Sequence, residues 1–240
     1  MLILIADSHL KENTAELDDF NKLLECIAAN GHDVCFLGDI MELWIAVPKF
    51  ENDMHREFLT WCRRYSNQRK VYMLEGNHEF FVVKRYSDCF SGSASDSLRV
   101  GSELFCHGDL IQRHQLDHLF FRKMSKSRLC FFLLRFLPGA RSLVHLVQRI
   151  MQRRSQHYST YLPLTEIKRW IKQKVDQPLP RNIFLGHFHQ AHQEETPDGN
   201  RLFCLPAWKE RQEIAIFDPT SGKCSFGHWR ELLANKDNEP

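Results

Sequence analysis

Short apolar runs alternate with compact polar clusters along this chain, and the apolar positions follow two periodicities. Residues 2–6, 34–37, 71–74, 104–106 and 183–185 are continuous runs rich in Leu, Ile, Val and Phe. Runs this short and unbroken predict strands covered on both faces, as in buried sheets. Elsewhere Leu17, Phe20, Leu24 and Ile27 recur at three and four residues, the spacing of a helix face. Asn13 and Glu16 have capping-box spacing ahead of it, and Gly31 supplies a stop. Further helices are predicted over 53–64 and 165–175, with Pro178 beyond the second. After residue 200, strand-like runs at 202–205, 214–217 and 224–229 accompany turn signals at Asp198-Gly199 and Ser221-Gly222, as in hairpins or a meander. The pattern is that of an α/β sandwich, and 240 residues suit a single domain, 1–240.

One segment departs from this rhythm. Between 112 and 160 stand ten Lys or Arg and one acid, Asp117, a formal +9 in a chain whose total is +2. The rest of the chain therefore carries −7. Leu116, Leu119, Phe120 and Met124, then Leu143, Leu146, Val147 and Ile150, lie at helical spacing in the same segment. A basic amphipathic insertion of this kind predicts a lid or a membrane-surface element. A solvated basic hairpin packed by its apolar face satisfies the same pattern.

Composition narrows the class. An apolar fraction of 43% and a charged fraction of 26% are those of an ordinary globular chain. No stretch approaches the roughly 20 apolar residues of a membrane span, and the first apolar run lacks a preceding basic region. The eight cysteines are scattered without C-x-x-C spacing, which predicts free thiols in a reducing cytoplasm rather than disulfides or a zinc cluster.

The polar clusters carry the chemistry. Asp7-Ser8-His9, Gly38-Asp39, Gly76-Asn77-His78-Glu79, His107-Gly108-Asp109 and Gly186-His187-Phe188-His189 each follow a strand-like run. In open α/β sheets the carboxyl ends of parallel strands share an edge where ligands bind, so five loops would converge there. Singly, each has a plain explanation: Gly-Asn and Gly-Asp are common turns, and a lone Asp-x-His is often a surface pair. Together they gather carboxylates, an amide and imidazoles without thiolates, a donor set suited to manganese, iron or zinc. Residues two apart in an extended segment point the same way, so each Asp-x-His or His-x-His pair could reach one ion.

The ordered set D-x-H, G-D, G-N-H-[DE], H-G and G-H-x-H resembles the signature of the calcineurin-like metallophosphoesterase superfamily, from Asp7 to His189. That resemblance implies a four-layer αββα sandwich with two divalent metal ions, manganese foremost and iron or zinc as alternatives, held by strand-end loops. It places Asp7, His9 and His189 on one ion, Asn77, His107 and His187 on the other, and Asp39 between them. His78 would face the phosphoryl group or leaving oxygen as hydrogen-bond donor or general acid. Glu42 occupies the place where many relatives have an Asp that orients that imidazole.

A narrower resemblance rests on GDIMELW, residues 38–44, which is similar to the Gly-Asp-Leu-Phe-Glu-x-Trp form of UDP-2,3-diacylglucosamine hydrolases of lipid A synthesis. Phe120–Lys123, Leu137-Pro138, Met151–Ser155 and Ala207-Trp208 follow that family's order. His78 stands where that family usually has Arg. The resemblance implies an acylated sugar-nucleotide substrate, contact of the lid with acyl chains, and Arg153, Arg154 and Ser155 near the sugar diphosphate. It also implies a cytoplasmic protein peripheral on the inner-membrane surface, with no stable nucleic-acid partner. Three other readings fit the motifs: a phosphodiesterase or phosphatase acting on a soluble nucleotide or phosphoprotein, a nuclease, and a scaffold without turnover.

Overall fold

The computed structural model describes residues 1–111, 127–136, 144, 162–196 and 199–234. Most of the predicted insertion at 112–160 lies outside the described residues, Arg153, Arg154 and Ser155 included.

The strands, in chain order, are β1 (Leu2–Ile5), β2 (Asp33–Phe36), β3 (Trp44–Ile45), β4 (Val71–Leu74), β5 (Glu79–Phe80), β6 (Gly92–Ala94) and β7 (Ser97–Val100). They continue with β8 (Glu103–Cys106), β9 (Asn182–Leu185), β10 (His192–Glu195), β11 (Arg201–Cys204), β12 (Glu213–Phe217) and β13 (Cys224–His228). One sheet has the order β13-β12-β1-β2-β4-β6, and the other β10-β11-β9-β8-β7, while β3 and β5 form a small parallel pair. In the first sheet β1, β2, β4 and β6 run parallel. In the second, β8, β9 and β11 do. The carboxyl ends within each parallel set therefore share an edge.

Side-chain alternation explains why the apolar runs are unbroken. Leu2, Leu4 and Ala6 pack with Cys35, Leu37 and Leu74 against Phe105, Phe184, Phe203 and Leu205 of the second sheet, filling the space between the two. Ile3, Ile5, Val34, Phe36, Val71 and Met73 point the other way, into a core closed by helices α1 (Ala15–Asn30) and α2 (Asp53–Ser66). The outer face of the second sheet packs Leu104, Cys106, Ile183 and Leu185 against Ile167 and Ile171 of the helix Leu164–Lys174. The layers are thus helix, sheet, sheet, helix, the αββα order. Each large apolar side chain buried in these layers contributes about 1.5–3 kcal/mol, which is what fixes the strand registers beneath the loops.

Three local expectations change. The cap of α1 is Thr14, whose hydroxyl accepts from Leu17 N–H at 3.3 Å, and Asn13 lies outside the cap with a left-handed φ of 56°. Thr14 wins because its backbone is extended, as a cap requires, and its oxygen reaches the third N–H of the helix. Gly31 does end α1 in the left-handed region, φ 69°. Helix α2 runs to Ser66, and the later helix is Leu164–Lys174. The eight cysteines are all free, and five of them are buried. Among the described residues no helix is long and apolar enough to cross a membrane.

Candidate metal centre

The five polar clusters meet at one place, but not on the edge of a single sheet as the sequence suggested. The loops after β1, β2 and β4 come from the first sheet, and those after β8 and β9 from the second. Their backbones are tied together. Asp7 N–H donates to Gly38 O at 3.1 Å, and His9 N–H to Asp39 O at 2.9 Å. Across the two sheets, His187 N–H donates to the Asp7 carboxylate at 2.8 Å.

The loop backbones are unusual. Asp7, His9, Asp39, His187 and His189 all have positive φ, between 45° and 67°. Non-glycine residues rarely adopt this region, and where they do the surroundings must hold them there. The Asp-x-His and His-x-His pairs therefore reach one side through left-handed turns, not through the extended geometry expected from their spacing. Gly76 is also explained differently. Its φ is not left-handed, but an added Cβ would sit against the Asp39 side chain and 2.7 Å from the Asp39 backbone nitrogen. Close approach of two loops demands the glycine.

Asp39 stands at the centre. Its Oδ1 accepts from His78 N–H at 2.8 Å. Its Oδ2 lies 3.4 Å from His107 Nε2, 3.8 Å from His78 Nε2 and 3.9 Å from His9 Nε2. Asp7 Oδ1 lies 3.4 Å from His189 Nε2. Asn77 Oδ1 is 3.3 Å from His107 Nε2. Candidate ligand atoms of Asp7, His9 and His189 lie within 4.8 Å of one another, and so do those of Asp39, His107 and His187. His9, Asp39 and His78 form a third such group, which brings His78 to the same centre.

The second ring nitrogens are anchored outward. His107 Nδ1 is 2.8 Å from Leu37 O, and His78 Nδ1 is 2.6 Å from Glu42 O. A carbonyl only accepts, so Nδ1 carries the proton in each and Nε2 faces inward. For His78 this replaces the expected partner. The orienting group is the main-chain carbonyl of Glu42, while the Glu42 carboxylate lies 3.7 Å from Lys11 Nζ. The parallel pairing of β3 with β5 brings this carbonyl to the ring, since Trp44 N–H donates to His78 O at 2.9 Å.

Two residues of the site have roles that the sequence did not assign. Glu79 is fully buried and accepts from Asp39 N–H at 2.7 Å, Ile40 N–H at 2.7 Å, Gly76 N–H at 2.8 Å and Met41 N–H at 3.4 Å. It clamps the Gly-Asp loop to the Gly-Asn-His loop. The second is Glu210, whose carboxylate is 2.7 Å from His189 Nδ1. For Glu79 the only sequence signal is its place in the Gly-Asn-His-Glu string. Glu210 has none beyond following Ala207-Trp208.

Electrostatics show what charge the cluster draws in. Burial alone would raise Asp39, but His78, His107 and His9 hold its carboxyl well below the usual range. Asp7 is likewise lowered, burial being outweighed by His189. Burial opposes charge on His107 and His189, yet Asp39 raises the first to about 10 and Asp7 the second to about 9. Burial pushes His9 down to about 3 and His187 to about 4. Burial and the Asp39 charge push Glu79 up to about 7, against N–H donors that favour its ionised form. Two buried carboxylates thus draw positive charge into the centre, and protons on two imidazoles supply it here.

These residues fit divalent cations. The donors are oxygen and imidazole, in buried or nearly buried groups whose atoms lie within 4.8 Å of one another. The calcineurin-like phosphoesterase family model matches residues 1–214, and the chain belongs to that family of metal-dependent hydrolases. Over 228 residues it is 28% identical to a UDP-2,3-diacylglucosamine hydrolase of Pseudomonas putida, covering 88% of this chain and 92% of the relative. A UDP-2,3-diacylglucosamine hydrolase of Shewanella loihica is 19% identical over 225 residues, covering 90% and 92%. Among solved structures, a dimetal phosphatase from Danio rerio is similar with a TM-score of 0.43 and 13% identity, covering 89% of this chain and 91% of that one.

Proposed function

We propose that this protein hydrolyses UDP-2,3-diacylglucosamine to lipid X and UMP, with two divalent ions, manganese by preference. The observation that carries the reading is the similarity to the Pseudomonas putida hydrolase along nearly the whole of both chains. Asp7, His9 and His189 would hold one ion, Asn77, His107 and His187 the other, and Asp39 would bridge them. When bound, such ions neutralise charge on the phosphoryl oxygens and acidify water.

The chain's own residues do the rest. Asp39 is fixed by the His78 N–H on its Oδ1, leaving Oδ2 inward among three imidazoles. The His78 ring, held at Nδ1 by Glu42 O, presents Nε2 to the phosphoryl group or leaving oxygen. Nε2 lies 3.8 Å from Asp39 Oδ2, so the ring is aimed at the same centre as the carboxylate. Proton transfer of this kind contributes about 10²–10⁴ to rate.

The helix Arg128–Phe136 supports an acylated substrate. Phe131 packs edge-on against Phe81 at 4.9 Å, which fixes the helix on the domain. Phe132 and Phe136 are 59% and 60% exposed. They offer apolar surface to acyl chains, with Arg153, Arg154 and Ser155 assigned to the sugar diphosphate. A protein acting on such a substrate would work at the cytoplasmic face of the inner membrane.

Rates on UDP-2,3-diacylglucosamine and UDP-N-acetylglucosamine in Mn²⁺ test the reading. Each buried CH₂ is worth about 0.8 kcal/mol, so kcat/KM should differ by orders of magnitude in favour of the acylated substrate. Equal rates would refute it and point to soluble nucleotides. Faster cleavage of single-stranded DNA or a phosphopeptide would refute it in favour of a nuclease or phosphatase.

A further inference from the structure

We infer that Glu210 is a positioning residue for His189, and that the C-terminal turn carrying it is a sixth loop of the metal centre. The inference rests on the dinuclear reading above and concerns a residue outside the motif set.

The turn is built rigidly. Trp208 is fully buried and meets Phe20 edge-on at 5.4 Å. Its N–H donates to Ala6 O at 3.0 Å, and the next N–H, that of Lys209, donates to Asp7 O at 3.2 Å. Gln212 closes the turn in the left-handed region, its N–H on Trp208 O at 2.7 Å, and its side chain accepts from Trp229 Nε1 at 3.2 Å. The segment is therefore fastened to the backbone of Asp7 itself. Glu210, two residues beyond Trp208, is carried to His189 on a turn hydrogen-bonded on both sides of it.

A carboxylate accepts and does not donate, so the 2.7 Å contact fixes the proton of His189 on Nδ1. Nε2 is then the inward nitrogen, 3.4 Å from Asp7 Oδ1. The side chain of Glu210 is 46% exposed and that of His189 only 6%. Solvent screens such a pair, so its worth as an ion pair is small. Its effect lies in ring orientation and in the basicity of Nε2. His107 and His78 have neutral main-chain carbonyls in the equivalent place, from Leu37 and Glu42. Glu210 thus distinguishes the ion held by Asp7, His9 and His189 from the one held by Asn77, His107 and His187.

The test is titration of Mn²⁺ into chelator-stripped protein, followed by calorimetry, with circular dichroism of the metal-free forms. Wild type should take up two ions. Glu210→Ala should lose about 10–100-fold in affinity for one ion and keep the other, as expected for the loss of such a partner. Glu210→Gln retains an acceptor without charge and should fall between them. Glu213, the other carboxylate lining the pocket beside His189, is the control, and Glu213→Ala should bind as wild type. Fewer than two ions on wild type would refute the dinuclear reading itself. Two ions on wild type with unaltered affinities in Glu210→Ala would overturn the inference alone. An equal loss in Glu213→Ala, or loss of both ions together with the fold in Glu210→Ala and Glu210→Gln, would overturn it as well.

Discussion

Replacing Glu79 by Ala would withdraw one acceptor from four N–H groups on two different loops. Three of the bonds are short: Asp39 N–H at 2.7 Å, Ile40 N–H at 2.7 Å and Gly76 N–H at 2.8 Å. A buried donor left without a partner costs about 1–3 kcal/mol, so the three together cost about 3–9 kcal/mol before water enters. One effect runs the other way. Burial and the Asp39 charge raise Glu79 from the ordinary 4.5 to about 7, so removing its charge relieves about 3 kcal/mol at pH 8. Cations on Asp39 cancel the part of this that Asp39 causes and leave the burial part, so the relief shrinks without vanishing. From the middle of the range, about 6 less 3 leaves about 3 kcal/mol, so metal-loaded Glu79→Ala should lose at least that much, a fall in Tm of about 6–12 °C for a domain of this size. The metal-free variant should lose less. Thermal unfolding followed by circular dichroism, with and without Mn²⁺, measures both. A metal-loaded Tm within about 2 °C of wild type would refute the clamp.

The remaining predictions are simpler. His78→Ala should lower turnover by about 10²–10⁴ with metal content intact, whereas Glu42→Ala should retain turnover within about threefold, because the main-chain carbonyl at 42 survives the substitution. Steady-state rates with metal analysis of both variants decide this, and an equal loss in the two would restore a role for the Glu42 carboxylate. Mn²⁺ affinity should rise with pH. His107 at about 10 and His189 at about 9 are protonated in the metal-free protein at neutral pH, and ions must displace those protons. Calorimetry in buffers of different ionisation enthalpy should find about two protons released at pH 7. The same shifts make the metal-free fold gain from these two groups below pH 6.5 and lose that gain as pH rises through 9 to 10. Affinity independent of pH from 6.5 to 9 would contradict this.

The sandwich was legible because its central strands are buried on both faces, so their sequences are unbroken apolar runs. Which run joins which sheet was not, since Leu2–Ile5 and Asn182–Leu185 are covered alike on two sides. Strands with little to bury escaped notice: Gly92–Ala94 is half-buried throughout, and His192–Glu195 is polar along its length. The motif residues were legible as a set, and all seven proposed ligands converge with His78. Their backbone was not, because Asp and His carry no sign of a left-handed φ in their identity. Glu79 and Glu210 act on partners 40 and 21 residues away, across contacts that only the tertiary fold creates. The Glu42 carboxylate was the natural choice for orienting His78 by type, but the β3–β5 pairing puts its carbonyl there instead.

The central claim is that seven side chains from five strand-end loops hold two ions about Asp39. Anomalous scattering at the manganese edge from crystals grown with Mn²⁺, together with metal analysis of the same protein, tests it most directly. Two peaks should appear, one among Asp7, His9 and His189 and one among Asn77, His107 and His187, with Asp39 touching both. A single peak, or ions bound away from Asp39 in fully active protein, would contradict it.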